Sequence, residues 1–277
     1  MRPPNKFFLI LCCALLLSAC GSVPEKKSPA ALQATRQIER GTAAFLQGDY
    51  AGALTEFALG LRIELSIENA DGIAVSRINL ARTWRELAHP EQAHVQLDAL
   101  FAAPILPYPA ESLAAAAVMQ AQLYFEGDAP DVAAQWLDRG DVLCQKKCAA
   151  TASLTLLRAQ LLLHDGRYAQ AQKLADESAA TLIAPSQNIE LANALRLSGE
   201  IYFAQHDDVN ASAKFEQALA LDQRAGLPAK IRLDLTRLAE TAEHAGKNDE
   251  AKNYAARAAS VSQAMREAHQ IAQPPAH

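Results

Sequence analysis

GTAAFLQGDYAGALTEFALGL, residues 41–61, holds two short helical patterns on either side of a breaker, Gly48-Asp49-Tyr50. Taking Ala53 as an anchor, Gly41 stands twelve residues before it, Ala44 nine before, Phe57 four after and Gly60 seven after. The same frame refits along the chain at Ala93, Ala133, Ala171, Ala211 and Ala251, with successive spacings of 40, 40, 38, 40 and 40 residues. A fixed period of this size predicts a stacked array of helix pairs, each burying its apolar face against its neighbours.

Each column of the frame has a packing reason. Twelve before the anchor stand Gly41, Ala81, Ala121, Ala159, Gly199 and Ala239, all small, as two helix backbones in close approach require. Nine before stand Ala44, Trp84, Tyr124, Leu162, Tyr202 and Ala242, where a bulky group fills the space between repeats. On the second helix the anchor, then Phe57, Leu97, Leu137, Ala175, Phe215 and Ala255, then Gly60, Leu100, Gly140, Ser178, Ala218 and Ala258 make an i, i+4, i+7 stripe. This stripe is expected to pack back onto the first helix of its own pair.

The frame resembles the tetratricopeptide repeat family, most closely at Gly41-Gly48-Asp49-Tyr50-Ala53-Phe57 and at Gly199-Tyr202-Ala211-Phe215-Ala218. Two departures stand out. The usual period of that family is about 34 residues, and the position where it favours Trp holds Gln37, Arg77, Ala117, Thr155, Leu195 and Leu235. The 40-residue spacing is similar to a longer-helix variant of the family. The resemblance implies an all-α fold, a right-handed α-solenoid of about six antiparallel helix pairs.

The expected pairs are 30–47 with 50–66, 70–88 with 90–102, 110–127 with 130–144, 149–165 with 168–183, 187–206 with 208–223, and 228–246 with 248–268. Gly48, Pro90, Pro130, Gly166 and Gly246 mark the turns within pairs. The solenoid is assigned to residues 34–268, with 269–277 as a frayed tail.

Ahead of it, Arg2 and Lys6 precede an apolar run from Phe7 to Leu16 and then Leu17-Ser18-Ala19-Cys20-Gly21, which reads as a secretory signal over residues 1–19. The small residues before Cys20 resemble a bacterial lipobox, and that resemblance implies cleavage before Cys20 and lipidation of its thiol and amine. The same resemblance implies an outer-membrane address, with the body facing the periplasm, because Gly21 stands where lipoproteins kept in the inner membrane carry an aspartate. Residues 20–33 are expected to be the lipidated Cys and a polar tether containing two prolines. Removing residues 1–19 takes away Arg2 and Lys6 and no acid, so the net charge moves from −5 to −7. That balance argues against nucleic acid as a partner.

Within the body only Cys144 and Cys148 remain, an even pair read as a disulfide in an oxidising compartment. Closing so small a loop is worth about 2 kcal/mol, less any strain, so it would pin a connector and not hold the fold.

No residues rise to an active site: there is no phosphate-cradling glycine loop, no Gly-x-Ser-x-Gly turn, and no His or Cys pair at metal-ligand spacing. His244, near Glu240 and Glu243, is read as part of a solvated face. Neither catalysis nor a metal or cofactor is expected. In the family that the repeats resemble, the first helix of each pair lines the concave face, which places positions eleven and eight before each anchor in a groove. They are Thr42 and Phe45, Arg82 and Arg85, Gln122 and Phe125, Gln160 and Leu163, Glu200 and Phe203, Glu240 and Glu243. Read in order, the surface runs from basic through amide and apolar to acidic, with Phe125, Leu163 and Phe203 as its apolar centre. The carboxylate clamp of the family is not reproduced, because its Lys position holds Ile38, Ile78, Val118, Leu156, Arg196 and Thr236.

Two functions fit such a groove. One is a lipid-anchored scaffold that docks a protein or peptide of the bacterial envelope in outer-membrane protein insertion, pilus or secretin assembly, or cell-wall synthesis. The other is a regulatory or carrier subunit binding a small molecule or glycan. Both tryptophans, Trp84 and Trp136, sit at or beside packing positions instead of offering stacking faces, which favours the scaffold. A docked segment would lie with its acidic part toward the N-terminal repeats and its basic part toward the C-terminal ones.

Overall fold

The structure, a computed structural model, describes residues 28–102, 106–145 and 148–272. The signal segment, Cys20 and the last five residues lie outside this set. Among the described residues there are twelve α-helices and no strand. They run α1 (Pro29–Gln47), α2 (Tyr50–Ser66), α3 (Ala70–Glu86), α4 (Pro90–Phe101), α5 (Ala110–Glu126), α6 (Pro130–Cys144), α7 (Thr151–His164), α8 (Tyr168–Thr181), α9 (Asn188–Ala204), α10 (Asp208–Ala225), α11 (Pro228–His244) and α12 (Asn248–Ala272). Each odd-numbered helix packs on the next even-numbered one, and each pair packs on the following pair. No described helix is long and apolar enough to cross a membrane.

Helix α1 starts at Pro29, one residue before the expected 30–47 and overlapping five residues of the stretch assigned to the tether, because Ser28 caps it by accepting from the Ala31 amide at 3.1 Å and proline suits the first helical position. At the other end α12 continues to Ala272, since no breaker stands before Pro274.

The turns inside the pairs share one geometry. The residue five before each anchor is Gly48, Ala88, Asp128, Gly166, His206 or Gly246, and all six have positive φ, between 58° and 83°. The left-handed residue lets the amide of the next one reach back to the last turn of the first helix, as Asp49 does to the Ala44 carbonyl at 2.9 Å. Glycine reaches this conformation without strain, whereas Ala88 carries the cost of its Cβ. Asp49 and Asp207 then cap the following helices, accepting from the amides of Gly52 and Asn210 at 3.0 and 3.1 Å.

Packing follows the columns. Ala53, Ala93, Ala133, Ala171 and Ala211 have no exposed surface, as do Ala81, Ala121 and Ala159 in the small-residue column. The two glycines of that column are pressed against aromatic rings: a Cβ at Gly41 would stand 2.6 Å from Phe57, and one at Gly199 2.6 Å from Phe215. Burying each phenyl ring stabilises the fold by about 1.5–3 kcal/mol, so the bare backbone and the ring beside it work as one unit. Only the last pair departs, with Ala255 exposed because no further repeat covers it.

Cys144 and Cys148 are joined by a disulfide with 5.3 Å between their Cα atoms, at the end of α6. Thr151 braces the same connector by accepting from the Cys148 amide at 3.0 Å.

The array curves enough for its ends to meet. Helix α1 touches α11, and the space in front of Gly48, at the end of α1, is filled by the Cε methyl of Met265 on α12, 2.9 Å from where a Cβ would sit. The first helices α3, α5, α7, α9 and α11 therefore curve around a central space that stays partly open to solvent.

Candidate functional site

The central space is a cavity of about 690 Å³ walled by α3, α5, α7, α9 and α11. Of the residues expected in the groove, Arg82, Arg85, Gln122, Phe125, Gln160, Leu163 and Glu200 line it. Phe45, Phe203, Glu240 and Glu243 do not. Phe45 packs on Tyr50, with ring centroids 5.3 Å apart, and lies under the Arg82 guanidinium at 5.6 Å. Phe203 meets His244 edge to face at 5.6 Å and joins the core of the last two pairs. The expected apolar row of Phe125, Leu163 and Phe203 is thus shortened at its C-terminal end, because Phe203 turns to His244 of α11. Glu240 and Glu243 stand on the exposed side of α11, with Glu240 held by Arg237 at 2.6 Å.

The cavity instead extends toward the N-terminal halves of the first helices. Val118, Leu156 and Arg196, fifteen before their anchors, and Met119, Leu157 and Leu197, fourteen before, line its middle. Ser153, Asn193, Lys230, Leu233 and Arg237 complete that side. The signal was present in the sequence: positions −18, −15, −14 and −11 form an i, i+3, i+4, i+7 stripe that continues the face of the two columns chosen.

Most charges on the wall are already matched. Arg85 donates to both carboxylate oxygens of Glu126, at 2.9 and 3.0 Å, and lies 3.2 Å from Glu86. Arg237 forms a two-pronged pair with Glu200, both contacts at 2.6 Å. Burial raises the Glu200 pKa, and Arg237 opposes that rise. Consequently the expected acidic end of the groove is neutralised from inside.

Arg196 is the deepest charge. It donates to Asp234 at 2.6 Å, to Asp222 at 2.5 Å and to Asn193 at 2.9 Å, and the two acids are almost wholly buried. Burial pushes the Asp222 carboxyl up to about 6, with the Asp234 charge adding to the rise and Arg196 opposing it. One guanidinium thus serves two carboxyls, and a hydrogen bond between them exists only while one keeps its proton. Lys230 stands nearby with its pKa lowered by burial and then by the Arg196 charge.

Outside the cavity, the Asp208 carboxylate, His244 and His206 form a chain, with contacts of 2.8 Å and 3.1 Å. The imidazoles stack at 5.0 Å. Sequence reasoning missed this because the partners come from neighbouring repeats. Among the described residues no group of His, Cys, Asp and Glu is arranged to hold a metal ion.

The helix pairs, their common turn and the central cavity define an all-α protein with a tetratricopeptide-like repeat fold. Among solved structures, the chain is similar to BtubC (BKLC) from P. vanneervenii, with a TM-score of 0.56 and 17% identity over 91% of this chain and 96% of that one. It is also similar to the signal transduction ATPase with numerous domains PH0952 from Pyrococcus horikoshii, described as having a tetratricopeptide repeat sensor, with a TM-score of 0.57 and 15% identity over 84% of this chain and 36% of that one. PilF of Pseudomonas aeruginosa aligns at a TM-score of 0.48 and 15% identity over 89% of this chain and 100% of that one. No protein-family model matches the chain, and no curated protein matches it in sequence.

Proposed function

We propose that the chain is a non-catalytic scaffold that holds a protein or peptide of the bacterial envelope in its central cavity, tethered by a lipid on Cys20 to the periplasmic face of the outer membrane. The observation that carries the binding half is the cavity itself. Five successive first helices line one cavity, and α5, α7 and α9 each turn both apolar side chains and a side-chain amide into it, the surface through which repeat arrays bind. The lipobox-like residues before Cys20 support the anchoring half.

One in-cell experiment tests both halves. A photocrosslinking residue replaces Leu156, inside the cavity, or Val209, which is 80% exposed on the outside, while a fatty-acid probe labels lipoproteins. The expected result is a discrete envelope-protein adduct from position 156 and not from 209, with lipid label lost in Cys20→Ala. Adducts from 209 alone would overturn the cavity as the docking surface, and label retained by Cys20→Ala would overturn the anchor.

A further inference from the structure

We infer that the cavity is built for an extended peptide segment carrying a carboxylate, which Arg82 and Lys230 receive. This deepens the scaffold reading and rests on it. The argument begins with the wall's cations. Arg85, Arg196 and Arg237 are each held by acids of the chain itself at 3.3 Å or less. Arg82 and Lys230 have no acid within ion-pair distance among the described residues, and both line the cavity.

Lys230 is half-buried and Arg82 is exposed. Arg82 is set over the Phe45 ring, and Glu86 and Glu190 act on its charge without closing an ion pair among the described residues. Lys230 feels burial first, then the like charge of Arg196, the attraction of Glu86, the like charge of Arg85 and the attraction of Asp222, with no acid closing an ion pair on it among the described residues. The two residues come from α3 and α11, which the closure of the array brings to one space. An arriving carboxylate removes the like-charge cost at Lys230 and forms the charge-assisted hydrogen bonds that both cations lack.

The rest of the wall selects a peptide over a fatty acid. Leu156 and Leu157 give an apolar floor that suits either, but Gln122, Gln160 and Asn193 also line the cavity. Each side-chain amide both donates and accepts, matching the amides of an extended main chain. Gln122 already donates to Glu126 and Asn193 accepts from Arg196, but Gln160 Oε1 is buried without a partner, and an acyl chain would leave it so where a main-chain N–H would satisfy it. The charge-gradient expectation changes accordingly: with Glu200 and Glu240 bound to Arg237, no acidic end is left to receive a basic segment, and the unmatched charge is positive.

The test pans randomised heptapeptides on phage against the immobilised whole chain. Peptides recovered should be enriched in Asp and Glu. A synthetic recovered peptide should lose about tenfold in affinity when its acids become Asn or Gln, and less so at 0.5 M salt. In the Arg82→Gln/Lys230→Gln variant this difference should vanish while the melting temperature stays put, because neither residue closes an ion pair. If the double variant melts lower, each single variant is read in the same way.

Acid enrichment that survives the double variant overturns the inference. Recovered peptides with no acidic preference that are displaced by filling the cavity with Leu156→Trp also overturn it, and leave the scaffold reading standing. No recovered peptide at all brings down both. Sodium laurate binding that depends on Arg82 and Lys230, with no peptide recovered, reassigns the site to a fatty-acid anion and overturns the peptide.

Discussion

The junction between α7 and α9 and the junction between α9 and α11 occupy equivalent places in successive repeats, yet one is apolar and the other ionic. At the first, Leu156 and Ala194 hold the positions fifteen and seventeen before their anchors; at the second, the same positions hold Arg196 and Asp234. The column eleven after the anchor varies likewise, with Leu182 before the first junction and Asp222 before the second. The apolar junction works by area and tolerates similar shapes. The ionic one needs three particular side chains together, and its desolvation penalty means that it is not there for stability alone. It is also the junction beside Lys230, where the cavity carries its unmatched positive charge.

The largest expected effect breaks the ionic junction at one point. Arg196→Leu leaves Asp222 and Asp234 buried without their counter-charge and should cost about 3–5 kcal/mol in chemical denaturation. Restoring the neighbouring pattern with Arg196→Leu/Asp222→Leu/Asp234→Ala should recover most of that loss or exceed wild type. A triple variant as unstable as the single one would show that the junction's shape, and not its charge, sets it apart.

Next comes pH. The folded-state pKa of Asp222, about 6, lies above its ordinary value of 3.8, so between those values the folded chain holds a proton that the unfolded chain has released. Stability should therefore fall as pH rises from about 4 to 6, by at most about 1.4 kcal/mol per unit for one proton. Glu200, raised by burial, adds in the same sense. Asp222→Asn should flatten this slope relative to wild type. Parallel pH profiles for the two proteins would remove Asp222 as its source.

The smallest effect separates an inner repeat from the end of the array. Ala175 and Ala255 share a column, but Ala175 is fully buried and Ala255 is exposed. Ala175→Leu should cost about 1–3 kcal/mol and Ala255→Leu a few tenths, as calorimetric midpoints will report. Similar midpoints would mean that the last pair is covered in solution.

The repeat frame was legible because close packing leaves a periodic trace: Gly41 and Phe57, then Gly199 and Phe215, recur at fixed offsets. Seven of the twenty residues lining the cavity, Arg82 to Glu200, were legible for the same reason, and Val118, Leu156 and their neighbours continue that stripe. The ionic junction and the end of the array depend on non-periodic facts. Arg196 stands out in a mostly aliphatic column, but its partners Asp222 and Asp234 lie in two other columns, and no single periodicity links them. Phe203 obeys the column rule and still leaves the cavity, because its partner His244 belongs to the end of the array. The approach of α1 to α11 arises from small rotations accumulated over five junctions, which no local pattern records.

That approach has a kinetic side. A hoop does not widen by bending at one place as an open gutter does: to admit a segment broader than its bore, α1 must part from α11 or the segment must enter end-on along the axis. Either route adds an orientational demand to association, the kind of demand that lowers an on-rate whatever the strength of the grip that follows.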